Sequence, residues 1–459
     1  MTDLRADSDS PINRQVDFRA RASGFVRSGL ADLHGRKVIE VDAQGRDHAG
    51  ALLPSDGISI AAGARAAREQ RLPFVMRLTS SGADIGAGVG ALDGWGHAAR
   101  ELTRCSGIVP TIIIVTGPVV SGPALLLGLV DFVIMTTDAY AFVMGPRMVA
   151  EFTGVPISKD ELGGASIHVR TSGVADFIAD DEADALTLAS ELLGFLPDHT
   201  DADAPSFACS DPTDRLTSEA YEVLPPSSNG SYDVRDIIAS IVDHGDFLEP
   251  HAEWAANLVT GFAMIGGRTI GIVANQPQTV AGTLDIAASQ KGGRFVSFCD
   301  AFNISLVTIV DTSGFYPGKD TEWRGMIRYG AQLAFAYARA TVPRVNLTTR
   351  KSYGGAYIVM DSKKIGNDLA LAWPSAEIAV MGAKGAVEIL HRRNTPEERA
   401  ELEAAYEDRL LNPYIAAERG TIDAVIDPSD TRSEIHAALE MLAGKRERLP
   451  SRRHDNTPL

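Results

Sequence analysis

The chain has 459 residues, of which 45% are hydrophobic and 22% charged. That is a globular profile, long enough for about two or three domains at roughly 100–200 residues each. A formal net charge of −17 excludes a general nucleic-acid binder, which needs clustered positive charge to displace counterions from phosphate. Three widely spaced cysteines, Cys105, Cys209 and Cys299, exclude a disulfide framework and a zinc ribbon, and they fit a reduced cytoplasm.

In chain order, residues 1–21 are polar and charged, without the apolar core of a signal peptide. A mostly apolar run, residues 73–78, leads into Thr79-Ser80-Ser81-Gly82. Gly86-Ala87-Gly88 reads as a loop into a helix. Val109-Pro110 precedes an apolar strand at 111–115, followed by a small-residue turn, Ser121-Gly122-Pro123-Ala124. The runs 112–115 and 124–130 are bounded or broken by Gly and Pro and are too short to span a bilayer, so no membrane partner is expected. Residues 195–229 hold five prolines among Ser and Asp, the texture of an inter-domain segment.

Beyond it, strands are expected at 269–274, 306–311 and 344–349, with helices at 290–302 and 325–340. This alternation predicts α/β units with right-handed crossovers. The tail, 446–459, is short and basic.

The second half repeats the first. Thr79-Ser80-Ser81-Gly82 recurs as Asp311-Thr312-Ser313-Gly314, and Val109-Pro110 as Val342-Pro343. The turn 121–124 recurs as Gly354-Gly355-Ala356-Tyr357, and Val143-Met144-Gly145 as Val380-Met381-Gly382. Four landmarks in one order at nearly constant spacing indicate a duplicated domain. The expected division is a first domain at 1–215, a linker at 216–230 and a second domain at 231–459.

A small-residue turn between a buried strand and a helix leaves backbone N–H groups unpaired at the helix start. Aimed together, two such donors stabilise an oxyanion. No nucleophile elbow, phosphate-binding loop or zinc-ligand pair is present, and no metal is expected. His168 and His244 read as satisfied structural histidines, Asp311 as a residue that fixes the next turn, and Tyr357 and Trp373 as core aromatics.

The second half resembles the β subunits of biotin-dependent acyl-CoA carboxylases, of the propionyl-CoA and acetyl-CoA carboxylase type. The strings that carry the resemblance include Asn275-Gln276-Pro277, Gly282-Thr283-Leu284-Asp285, Lys291-Gly292-Gly293-Arg294-Phe295-Val296, Arg350-Lys351-Ser352-Tyr353-Gly354-Gly355-Ala356-Tyr357 and Ala379-Val380-Met381-Gly382. In the first half, Glu161-Leu162-Gly163-Gly164 and Asp211-Pro212-Thr213-Asp214-Arg215-Leu216 add to it.

The resemblance implies α/β architecture with two tandem crotonase-like domains. It implies a homo-oligomer, a ring built from dimers such as a hexamer, with the active site between protomers. Its cofactor is biotin on the carrier domain of a partner biotin carboxylase subunit, and its substrate is a CoA thioester. Carboxybiotin gives up CO₂, the biotin left behind takes the α-proton, and the thioester enolate attacks the CO₂. The thioester hole falls on Ser121 and Gly122 and the biotin hole on Gly355 and Ala356, with Gly354, Tyr357 and Ile358 as substrate-binding neighbours.

Three departures from the family pattern stand out. Ser121 replaces a glycine. Ile358 stands where propionyl enzymes carry Asp, which points to a different acyl chain. The leading segment is shortened to residues 37–43 and 50–53, and Asp84 takes the place of an arginine, so an anion would repel the CoA phosphates. Arg147 and Arg294 are the remaining phosphate partners to consider. The alternatives these departures leave open are a carrier-bound acyl substrate, a decarboxylase of malonyl-type thioesters, and a non-catalytic paralogue of the β subunit.

Overall fold

The computed structural model describes residues 11–17, 24–45, 50–227, 229–445 and 447–458. Most of the N-terminal stretch read for a leader lies outside them. The chain forms two compact units, Met1–Asp203 and Ala204–Leu459. Among the described residues no helix is long and apolar enough to cross a membrane.

The first unit is built on a sheet of β1 (Ile12–Asp17), β2 (Arg27–Leu33), β3 (Arg36–Gln44), β4 (Phe74–Ser80), β5 (Thr111–Val120), β6 (Phe132–Thr136), β7 (Tyr140–Phe142) and β8 (Phe177–Ala179). Its order is β1-β2-β3-β4-β5-β6-β8, with β7 on β5. The second unit carries β9 (Phe247–Leu248), β10 (Leu258–Ile265), β11 (Arg268–Asn275), β12 (Ser305–Thr312), β13 (Arg344–Tyr353), β14 (Leu369–Ala372), β15 (Glu377–Ala379) and β16 (Ala424–Val425). Its order is β9-β10-β11-β12-β13-β14-β16, with β15 on β13, so the duplication read from sequence is a duplication of topology. The expected strands and helices of the second half are all present, the helices as Ile286–Ala301 and Met326–Arg339.

From β3 and from β11 onward the pairings are parallel. Parallel strands are covered on both faces, which is why they read as continuous apolar runs. Phe74, Met76, Ile113, Val115 and Met135 join one core, and Ile272, Val307, Ile309, Val345 and Leu347 another.

One irregularity positions the two small-residue turns. The β4–β5 ladder breaks between Leu78 and Ser80, and the β12–β13 ladder breaks at the equivalent place, between Val310 and Thr312. A break of this kind bends a strand and re-aims the residues after it. Past it, β5 pairs β7 through Pro118–Val120, and β13 pairs β15 through Lys351–Tyr353. Each long strand thus carries its terminal turn, at 121 or at 354, beyond the main sheet.

The stretch 204–217, expected to divide between the first domain and the linker, is bound to the second unit. Ser206 bridges to Arg268, and Thr217 Oγ1 donates to the Pro428 carbonyl at 2.9 Å. The Asp211-Pro212 motif closes a clamp on Arg432. That guanidinium is fully buried and donates to Pro212 O at 2.9 Å, Ile241 O at 2.8 Å and Asp243 at 2.5 Å. Hydrogen bonds from Arg215 and the His244 N–H, with the Arg432 charge nearby, hold the Asp211 carboxyl down at about 2. His168 is structural as expected: its ring nitrogens meet Ser172 Oγ at 2.7 Å and Ala141 O at 2.8 Å. Trp373 is a core aromatic whose Nε1 donates to Thr431 at 2.9 Å.

Removing one partner of a buried ion pair leaves the other charge uncompensated, at a cost of about 3–5 kcal/mol. Arg432→Ala therefore lowers the unfolding free energy of the second unit by that order at neutral pH, read as a lower urea midpoint. Because the folded pKa of Asp211 lies below its unfolded value of about 3.9, its contribution is present above about pH 4 and is lost as the pH falls toward 2. Urea titrations between pH 7 and 2 read both effects.

Candidate active site

The two turns open on the same left-handed φ. Ser121 follows β5 with φ 63°, and Gly354 follows β13 with φ 58°. This sets Gly122 against Gly355 and Pro123 against Ala356. A short helix starts at each turn, Gly122–Leu129 and Gly354–Val359, and neither has a side-chain cap. The first N–H groups of each helix are therefore left without intrahelical or capping acceptors.

The four donors expected from sequence do not behave alike. The Ser121 N–H is already donated to Phe142 O at 2.9 Å, a consequence of the β5–β7 pairing. Gly122 is half-buried, and its N–H lies at the helix start. Gly355 is exposed, whereas Ala356 is fully buried and its N–H is sealed with it. Ala356 matches the buried Pro123, which has no N–H at all. The accessible donor shared by both turns is thus the second residue, Gly122 or Gly355.

A further pair of donors comes from the neighbouring strand end. Leu52 and Ala83 form a parallel bridge through Leu52 N–H to Gly82 O, 2.8 Å, and Asp84 N–H to Leu52 O, 3.0 Å. Leu284 and Phe315 repeat it through Leu284 N–H to Gly314 O, 3.1 Å, and Tyr316 N–H to Leu284 O, 2.9 Å. In a parallel bridge the central residue's own N–H points away from the partner, so those of Ala83 and Phe315 are left over. Gly82 lies against Ser121: a methyl group added to it would be 3.4 Å from Ser121 Cβ. Phe315 lies against Gly355: its ring would be 3.3 Å from a methyl group there. In each unit the bridged segment and the turn lie side by side, so that backbone donors from two adjacent strand ends are brought to one place in the chain's fold. The repeated strings at 79–82 and 311–314 hold the signal for the second pair, although in sequence they serve only to align the halves.

Charges near the second turn are internally matched. Asp311 accepts from Arg350 Nε at 2.8 Å and from the Lys351 N–H at 3.2 Å, so it fixes the turn as expected. Burial and the Glu377 carboxylate that it contacts push the Tyr353 hydroxyl well up. Tyr357 packs half-buried beside Ala372 and Ile378, while Ile358 is 41% exposed next to the turn. In the first unit, the Asp84 carboxylate serves its own loop, where Oδ1 accepts from the Ala87 N–H at 2.8 Å. Arg147 is exposed and lies 3.6 Å from Glu151, and Arg294 is exposed on the helix Ile286–Ala301. The three cysteines are unpaired, and burial pushes Cys105 up to about 12. Among the described residues no group of three or more His, Cys, Asp or Glu could hold a metal ion.

A duplicated α/β unit that ends adjacent parallel strands in uncapped turns is the crotonase-like carboxyltransferase architecture. The chain belongs to the carboxyl transferase domain family, whose model matches residues 4–457. It is 43% identical to the propionyl-CoA carboxylase beta chain of Saccharopolyspora erythraea, over all of this chain and 89% of that one. It is 45% identical to the methylmalonyl-CoA carboxyltransferase 12S subunit of Propionibacterium freudenreichii subsp. shermanii, over 84% of this chain and 75% of that one. The solved transcarboxylase 12S hexamer, with methylmalonyl-coenzyme A and methylmalonic acid bound, superposes with a TM-score of 0.92 at 42% identity. That match covers 95% of this chain and 85% of that one.

Ser121, with φ 63° and ψ −144°, occupies backbone space that suits glycine. Strain of this kind costs about 1–3 kcal/mol, partly offset by the extra unfolded-state freedom of a glycine. Ser121→Gly is therefore predicted to stabilise the first unit by about 1 kcal/mol, read as a higher urea midpoint at unchanged slope.

Proposed function

We propose that this chain is the carboxyltransferase subunit of a biotin-dependent acyl-CoA carboxylase, adding a carboxyl group to the α-carbon of an acyl thioester to give a malonyl-type product. The observation that carries this reading is the pair of accessible backbone donors at equivalent strand ends of both units, with no side-chain base in either turn (Ser-Gly-Pro-Ala and Gly-Gly-Ala-Tyr).

Fixed N–H dipoles favour the state in which charge has moved onto an oxygen. In the first unit, Gly122 with Ala83 would hold the thioester oxygen as the α-carbon becomes an enolate. In the second, Gly355 with Phe315 would hold the carbonyl oxygen of the biotin ring. The fit there rests on open space: a methyl group added at Gly314 would meet nothing within 4 Å, and Gly355 is exposed. Carboxybiotin, delivered by the carrier of a partner subunit, supplies the CO₂ to be transferred. Ile358, exposed beside the turn, contacts the acyl chain and sets its preferred length. The protein works as a homo-oligomer with the biotin carboxylase subunit as its partner, in a reducing cytoplasm suited to three unpaired cysteines. A hexamer like that of the superposed 12S structure is the proposed form. CoA as the carrier is favoured by the relatives, a propionyl-CoA carboxylase beta chain and a 12S structure with methylmalonyl-coenzyme A bound.

The test supplies the purified chain with a biotin carboxylase, biotinylated carrier, ATP, labelled bicarbonate and a panel of acyl-CoAs. Label in an α-carboxyacyl product is expected; none with any acyl-CoA, from a folded protein and a carboxylated carrier, would contradict the proposal. In the same assay Ile358→Asp is expected to shift kcat/KM away from the preferred acyl chain by about tenfold, the scale on which an apolar contact discriminates.

A further inference from the structure

The Gly122 turn lies against a side chain to which the site gives no role. Trp95 lies on the helix Val89–Thr103, which packs against the helix Gly122–Leu129. Its indole is pressed onto Gly122: a methyl group added there would fall 2.8 Å from Cε2 and Cζ2 and 2.9 Å from Nε1. No real side chain tolerates such an approach, so the ring and the glycine fit only each other.

Trp95 has little freedom to yield. The preceding residue, Gly94, sits in a backbone crossing with the helix Pro54–Gln70, where a methyl group added at Gly57 would come within 2.1 Å of the Gly94 carbonyl carbon. The ring also packs against the buried core of the first unit. Its Nε1 is sealed from solvent and has no hydrogen-bond partner among the described residues. A buried donor left unpaired lowers stability, and a phenylalanine would avoid that loss. The tryptophan is thus poorly explained by packing alone.

We propose that Trp95 is a positioning residue for carboxyl transfer: its indole fixes the peptide of Gly122 so that the N–H points at the developing oxyanion. The inference rests on the carboxyltransferase reading and on Gly122 as a donor of the first hole. A donor held a few tenths of an ångström out of line weakens in the transition state more than in the ground state, so the effect belongs in kcat. The second turn has a matching cover, Phe315 on Gly355, at a looser 3.3 Å.

The experiment measures kcat, KM and thermal midpoint for the parent protein, Trp95→Phe and Trp95→Leu in the complete carboxylase mixture. Trp95→Phe is expected to keep or raise the midpoint, to lose tenfold or more in kcat and to hold KM within about threefold, with Trp95→Leu losing more kcat. Rates of both variants within twofold of the parent, or losses that only track the unfolded fraction, would overturn the role of Trp95 while leaving the carboxyltransferase reading intact. No turnover by the parent would overturn the reading and this inference together.

Discussion

A peptide N–H that leaves a buried parallel strand must find an acceptor, meet water or wait for a ligand. Everything distinctive in this chain follows from where that requirement is left open. The break in the β4–β5 ladder, and its copy in β12–β13, carries a strand end past its sheet and onto a second partner strand. Pairing with β7 uses the N–H of Ser121, and the next one, at Gly122, is left at the head of an uncapped helix. In the second unit the Asp311–Arg350 pair fixes the strand that leads into the turn at 354.

The duplication has been kept in backbone and relaxed in side chains. The parallel bridges at Ala83 and Phe315 and the positive φ at 121 and 354 agree between halves. The covering aromatics, Trp95 and Phe315, come from different elements and press with different closeness. Such a pattern suits two holes that hold different oxygens. On the proposed function, the polar backbone would do the same electrostatic work in each, while the side chains around it would tell one ligand from another.

Much of this was legible in the sequence. Apolar runs ended by small-residue turns marked the strands, and the repeated landmarks showed the duplication. The site emerged less completely, because the fate of an N–H is a long-range property. Nothing local to Ser121 says that Phe142 accepts from it, and nothing local to Ala356 says that it is sealed. The donors at Ala83 and Phe315 lay in or beside strings already recognised as repeats, yet their availability depends on bridges to Leu52 and Leu284. Asp84 looked like a charge facing a ligand, but its carboxylate caps the turn three residues on. The stretch 204–217 divides by sequence between the first domain and the linker, and only its contacts with Arg268, Pro428 and Arg432 assign it to the second unit.

On the proposed function, backbone N–H groups rather than side chains carry the electrostatic part of the reaction. Replacing Gly122 by glycolate through semisynthesis exchanges one amide for an ester and removes that N–H with no change of side chain. Measured on the folded oligomer with saturating acyl-CoA and carboxylated carrier, kcat should fall by about 10²–10³, the scale for loss of one oxyanion-hole donor. A kcat within twofold of the parent would contradict the account.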